Sequence, residues 1–138
     1  MRDAEERICQ EPGMVLVVED DEDIAQLLCY SLRKKRVIVA IAHDGLTAFD
    51  LVEQLRPSLV LLDVMLPRLD GYEVCRMIRS HQDRDLAGTP VVMLSALGAP
   101  GDIEKGMNLG ANAYFPKPYS VRDVVASTLE WLGIKVKG

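Results

Sequence analysis

Met14-Val15-Leu16-Val17-Val18, followed at once by Glu19-Asp20-Asp21-Glu22-Asp23, decides the fold. Five consecutive apolar residues without polar alternation suit a strand buried on both faces, the habit of a parallel sheet covered by helices. The acidic run ends that strand. Ile24, Leu27, Leu28, Ser31 and Leu32 then recur at the spacing that lines one helix face. This helix starts acidic and ends on Arg33-Lys34-Lys35-Arg36, which suits its dipole at both ends, and Asp21 or Asp23 is suited to cap it.

Working outward, the same alternation repeats. A second strand spans about Val37 to Ala42, with a turn at His43-Asp44-Gly45. Ala48, Leu51, Val52 and Leu55 give the next helix its stripe, and Pro57 closes it because proline cannot continue the hydrogen-bond ladder. Leu59-Val60-Leu61-Leu62 is the third strand and delivers Asp63 at its carboxyl end. The loop Val64 to Leu69 leads through Asp70-Gly71 to a third helix with Val74, Cys75 and Ile78 inward, and a polar loop runs from about His81 to Thr89. Pro90-Val91-Val92-Met93-Leu94 is the fourth strand, with proline tolerated as first residue. A weaker helix covers about Asp102 to Leu109 and ends at Gly110; Asn112 to Phe115 is a short fifth strand. The last helix runs from Ser120, its N-cap, to Leu132, with Val121, Val124, Val125, Thr128, Leu129 and Leu132 inward.

An α/β domain follows, with a doubly wound parallel sheet and helices on both faces, because right-handed crossovers between successive parallel strands demand it. The 138 residues fit one such domain over 14–132, with a partly ordered leader at 1–13 and a tail or linker start at 133–138. Sixteen basic against 21 acidic residues, net charge -5, argue against direct nucleic-acid binding through a broad positive surface. Three widely spaced cysteines, Cys9, Cys29 and Cys75, and the lack of an apolar signal segment point to a reducing, cytoplasmic setting without a disulfide framework. No apolar run approaches the length of a membrane span.

In such folds the functional crevice lies at the carboxyl ends of the strands. There the sequence puts Asp20-Asp21 after strand one, Asp63 after strand three, Ser95 after strand four and Lys117 after strand five. One acidic residue at a strand end is ordinarily a solvated turn or a helix cap; this combination asks for more. Three carboxylates at one mouth repel unless a cation joins them, and a hard, oxygen-liganded ion such as Mg²⁺ suits them while leaving one carboxylate oxygen nucleophilic. Lys117 adds a positive point charge and Ser95 a hydroxyl, both suited to the oxygens of a phosphoryl group in transfer.

Six motifs then carry a resemblance: Val17-Val18-Glu19-Asp20-Asp21, Leu61-Leu62-Asp63-Val64-Met65-Leu66-Pro67, Leu69-Asp70-Gly71, Leu94-Ser95-Ala96, Gly110-Ala111-Asn112-Ala113-Tyr114 and Lys117-Pro118. With them, about Val15 to Leu132 resembles the receiver domains of two-component response regulators. The resemblance implies a CheY-like, flavodoxin-like five-stranded sheet of order 2-1-3-4-5. Asp63 would be the phosphoacceptor, served by a histidine kinase or a histidine phosphotransfer protein. Asp20, Asp21 and Asp63 would hold Mg²⁺ with the backbone carbonyl of Met65, and Lys117 would contact the phosphoryl group across a typically cis Lys117-Pro118 peptide. Ser95 and Tyr114 match the switch pair, which reshapes the face formed by the helix after strand four, strand five and the last helix. That face also allows a homodimer. Ser95 stands where threonine is frequent and Glu19 where aspartate is frequent; every required group is present.

Two other functions compete. An aspartyl-phosphate phosphatase of the haloacid dehalogenase type needs a second aspartate two positions after the nucleophile, where this chain has Met65. A binding module that keeps the fold without using phosphate is disfavoured by the complete pocket. The polar tail after Leu132 favours a receiver joined to a C-terminal output domain over a single-domain regulator. His43 and His81 have no partner at ligand spacing and are read as surface residues, Cys29 and Cys75 as small hydrophobes. Trp131 is left without an assigned contact.

Overall fold

The computed structural model describes residues 13–134. The expected leader apart from Gly13, with Cys9 in it, and the last four residues of the tail lie outside the described residues. The elements are β1 (Met14–Val18), α1 (Glu22–Arg33), β2 (Ile38–Ala42), α2 (Gly45–Leu55), β3 (Leu59–Asp63), α3 (Gly71–Arg79), a single turn α4 (Arg84–Ala87), β4 (Val91–Ser95), α5 (Pro100–Asn108), β5 (Ala113–Pro116) and α6 (Val121–Trp131). All strand pairs are parallel and the order is β2-β1-β3-β4-β5, as expected.

The pleat sorts the apolar runs between two cores. Leu16, Val18, Val60, Leu62, Val91 and Met93 point to the face covered by α2 and α3, where Ala48, Val52, Val74, Cys75 and Ile78 meet them. Their neighbours Val15, Val17, Leu59, Leu61, Val92 and Leu94 point to α1 and α6, against Ala25, Leu28, Leu32, Val124 and Leu129. Every residue of β3 and β4 is buried, so truncating one, such as Leu61→Ala, costs about 2–5 kcal/mol. Cys29 and Cys75 are free thiols within these cores.

Four of the long helices open on a side chain that accepts an otherwise orphaned N–H: Asp21 from Ile24, Asp44 from Thr47, Asp70 from Glu73 and Ser120 from Asp123. These caps fix where the loops at the carboxyl ends of β1, β2, β3 and β5 hand the chain to the following helix.

Several expectations are corrected. The inward face of α1 is Ala25, Leu28, Cys29 and Leu32, one position round from the expected Ile24, Leu27, Leu28, Ser31 and Leu32 stripe, and Leu27 stays 50% exposed. Helix α2 does end just before Pro57, as expected, with Arg56 as its cap in the left-handed region and the Arg56 N–H bonded to the Val52 carbonyl. The polar loop after α3 contains α4, capped by Asp83 and anchored by buried Leu86. Helix α5 starts two residues earlier than expected, with Pro100 in its first turn where no amide donor is needed. Trp131 is exposed. Among the described residues no helix is long and apolar enough to cross a membrane.

Candidate functional site

Strand register brings the site together. Val18 pairs with Leu62, Asp63 with Leu94 and Ser95 with Pro116, so Glu19, Asp63, Ser95 and Lys117 emerge at the same edge of the sheet. Gly71 lets the start of α3 close over it: a Cβ there would lie 2.4 Å from the Asp63 carbonyl oxygen and 2.7 Å from Val64 Cα. Backbone atoms cannot step aside for a methyl group, and so this position demands glycine.

Lys117 is the hub. Its Nζ donates to Asp63 Oδ2 at 3.0 Å and to Glu19 Oε1 at 3.0 Å. Glu19 is fully buried and Asp63 is 2% exposed. The Met65 N–H donates to Asp63 Oδ1, and the Asp21 N–H to Glu19 Oε2. Burial opposes the charge on Lys117, but its bonds to Glu19 and Asp63 outweigh it and the ammonium is pushed up to about 12. Burial first, and then the Asp63 carboxylate, raise the Glu19 carboxyl above its usual range, partly offset by Lys117.

Carboxylate oxygens of Glu19, Asp20 and Asp63 all lie within 4.8 Å of one another. Such a set, all oxygen and negative, fits a hard divalent cation. The sequence reading paired Asp20 with Asp21; the structure instead groups Asp20 with Glu19, and Asp21 is no member of that group. The Asp21 carboxylate turns the other way and accepts the Ile24 N–H at 3.1 Å as the cap of α1. Glu19 is the residue the sequence reading missed. The cue was the cap itself: once Asp21 serves α1, the two acidic residues nearest the strand are Glu19 and Asp20.

Ser95 is buried, with its Oγ accepting the Leu97 N–H at 3.0 Å, while its carbonyl accepts the Lys117 N–H at 2.6 Å. The Lys117-Pro118 peptide is cis. Tyr114 pairs with Met93 of β4, two positions before Ser95, and its hydroxyl donates to the Leu97 carbonyl at 2.5 Å. His43 is exposed, and its Nδ1 lies 2.9 Å from the Glu19 carbonyl oxygen; as that oxygen can only accept, Nδ1 carries the proton. Met65 is exposed beside Asp63.

Comparison with known proteins decides the family, for residues 15–128 match the response regulator receiver domain. The chain belongs to the response regulator receiver domain family. Response regulator MprA of Mycobacterium sp. strain KMS is 42% identical over 115 residues, which is 83% of this chain and 48% of that protein. This chain thus spans about half the length of the curated relatives it matches. A Francisella response regulator receiver domain superposes with a TM-score of 0.81 at 27% identity, covering 88% of this chain and 97% of that one. The receiver domain of sensor histidine kinase PA1611 from Pseudomonas aeruginosa, solved with a magnesium ion in its active-site cleft, gives 0.75 at 29% identity, covering 88% and 98%.

As a receiver, the chain is a phosphorylation-controlled switch. It promotes its own phosphorylation and dephosphorylation and is not an enzyme in the ordinary sense. The family identity and the three-carboxylate cluster together involve a divalent metal in that chemistry.

Proposed function

We propose that this receiver takes a phosphoryl group onto Asp63 from a phosphohistidine, in a Mg²⁺-dependent reaction. The observation that carries this reading is the single ammonium of Lys117 held between the buried carboxylates of Glu19 and Asp63. A cation here would be held by Glu19, Asp20 and Asp63, with the backbone carbonyl of Met65 as a further ligand; Asp21, expected in the set, serves instead as the cap of α1. The bound cation would neutralise the cluster and orient phosphoryl oxygens.

The chain's own groups do the rest. Asp63 supplies the attacking oxygen: its bond to phosphorus forms as the phosphorus–nitrogen bond breaks, and the electron pair leaves with the imidazole of the donor. Lys117 reaches the oxygens that carry the transferred charge, and the Ser95 hydroxyl supplies a donor once it turns from its bond with the Leu97 amide. Ser95 and Tyr114 then pass the event to the face formed by α5, β5 and α6, by favouring an arrangement the protein already samples.

The donor is a histidine kinase or a histidine phosphotransfer protein, and the setting is cytoplasmic. The mycobacterial relative is about twice the matched length, which supports an output domain joined to the receiver proper, residues 14–132. Homodimerisation through the α5, β5 and α6 face belongs to the same proposal. Incubation with acetyl phosphate tests the chemistry: intact mass gains one phosphoryl group with Mg²⁺ and none without it or in Asp63→Asn. A phosphoryl group on any other residue overturns the assignment.

A further inference from the structure

Tyr114 is turned inward against a helix position that has no side chain. A Cβ built at Gly106 of α5 would lie 2.9 Å from Tyr114 Cδ2, 3.0 Å from its Cε2 and 2.8 Å from Met93 Sδ. Gly106 is the buried residue of α5. The methionine sulfur is the far end of a flexible chain and can move away. The tyrosine ring can yield only by rotating off the helix, and that breaks the bond from its hydroxyl to Leu97. Glycine in the interior of a helix is otherwise a poor choice, because it loses more conformational freedom on folding than alanine does.

A second tyrosine fastens the same helix. Tyr72 of α3 donates to the Asp102 carbonyl at 3.0 Å, and Lys105 Nζ lies 4.5 Å over its ring. Burial first, and then the neighbouring Tyr114 hydroxyl, hold the Tyr72 phenol above its ordinary range, so that it remains a donor. Hydrogen bonds run from the pocket toward this seat, the Lys117 amide to the Ser95 carbonyl, the Leu97 amide to Ser95 Oγ and the Tyr114 hydroxyl to the Leu97 carbonyl, and the last step is packing of the Tyr114 ring against Gly106. Packed elements have discrete arrangements, and a ring that either fills a seat or leaves it supplies two.

We propose that Gly106 is a positioning residue of the switch: its missing side chain is the seat for the Tyr114 ring, so that the ring's place sets the position of α5. This rests on the receiver reading for what the switch serves, while the seat itself is a matter of packing. Gly106→Ala should therefore expel the ring and uncouple α5 from the pocket, yet leave Asp63 and Lys117 undisturbed.

The test uses the full chain as wild type, Gly106→Ala, Tyr114→Ala and the double variant, with ¹³C-labelled tyrosine for NMR, thermal unfolding, and intact mass after acetyl phosphate with Mg²⁺. Wild type should show contacts from the Tyr114 ring to Gly106 and to the Met93 methyl group. Gly106→Ala should lose them and melt lower by about 5 °C, yet acquire one phosphoryl group at a rate within about threefold of wild type. In the Tyr114→Ala background the same substitution should raise the melting temperature, as alanine ordinarily does inside a helix. A ring that stays seated in Gly106→Ala, or an equal loss of melting temperature with and without Tyr114, overturns the proposal. If Gly106→Ala fails to fold, rescue by Tyr114→Ala supports the seat and failure to rescue overturns it. A wild type that gains no phosphoryl mass refutes the receiver chemistry on Asp63, while the ring contacts and melting shifts still decide for or against the seat on their own.

Discussion

Lys117 donates to Glu19 at 3.0 Å across 98 positions of sequence, and this bond draws the first acidic residue after β1 into the pocket. Its neighbour two positions on, Asp21, gives its carboxylate to α1. The two acids should therefore fail differently. Glu19→Gln is expected to weaken Mg²⁺ or Mn²⁺ binding about tenfold or more, with little change in helix stability. Asp21→Asn, which keeps a capping oxygen, should alter cation affinity much less, while Asp21→Ala should lose about 1 kcal/mol from the lost cap. Cation titration beside chemical unfolding separates them, and equal weakening of the cation by both would restore Asp21 to the ligand set.

Removing the ammonium leaves two buried carboxylates facing each other. Lys117→Met is expected to destabilise the cation-free protein by about 2 kcal/mol at neutral pH, less than for a fully buried pair because water reaches the amine. The sign with pH follows from both partners. The Lys117 pKa is raised by folding, so its contribution is fully present below the ordinary lysine value and is lost as pH rises through about 12. Glu19 is also raised, so the protonated acid favours the fold below the ordinary carboxyl range, and that contribution is lost as pH rises through the raised value. The gap between wild type and Lys117→Met should accordingly narrow both in acid and in strong alkali. Unfolding curves at about pH 4, 7 and 12 check it; a gap that does not change with pH contradicts the pairing.

Gly71→Ala presses a methyl group onto the Asp63 carbonyl and Val64 Cα. Neither can retreat without moving the carboxyl end of β3, so the substitution should cost about 2 kcal/mol and slow phosphorylation of Asp63 together with it. Gly101, where a Cβ meets nothing within 4 Å, is the control. Its alanine variant should keep the rate and lose no stability, since alanine ordinarily favours a helix.

The central strands β1, β3 and β4 were legible because burial on both faces leaves no room for polar alternation, and Met14-Val15-Leu16-Val17-Val18 could hardly be anything else. The rotation of α1 was not. Its true inward face uses Ala25 and Cys29, small residues less conspicuous than Ile24 and Leu27, although both are fully buried in the core that includes Val15 and Val17 of β1. The acidic run after β1 hid the register for a similar reason: carboxylates in sequence look alike, and only the cap of α1 and the reach of Lys117 from the far end of the chain tell which turn inward. Asp63, Ser95 and Lys117 were legible because each sits just at or beyond a strand end.

Ser95 holds the Leu97 amide through its Oγ. Ser95→Thr keeps the hydroxyl and should preserve phosphorylation within a few-fold. Ser95→Ala leaves the amide without that acceptor, at about 1 kcal/mol, and removes a donor to the phosphoryl group, which should slow transfer on the order of tenfold or more. Single-turnover phosphorylation by acetyl phosphate reads the rate. An alanine variant as fast as wild type would remove Ser95 from the transfer step and leave it a purely structural bond.

At the opposite end of the sheet Arg79 performs the complementary, purely structural task. Its guanidinium donates to the carbonyls of Gly110, Ala87 and Thr89 and to Asn112 Oδ1, while the same Asn112 oxygen accepts the Val91 amide at the start of β4. One side chain thus ties α3, the loop after α4, the end of α5 and the entry to β5. Arg79→Ala leaves several partly buried acceptors unmet and should destabilise by about 3 kcal/mol. Because these bonds lie at the amino ends of β4 and β5, the acidic pocket should keep its geometry. The folded fraction should take a phosphoryl group at the wild-type rate and bind Mg²⁺ as tightly. Denaturant unfolding paired with phosphorylation under native conditions separates the two effects, and a fall in the rate per folded molecule would show that the clasp reaches the site after all.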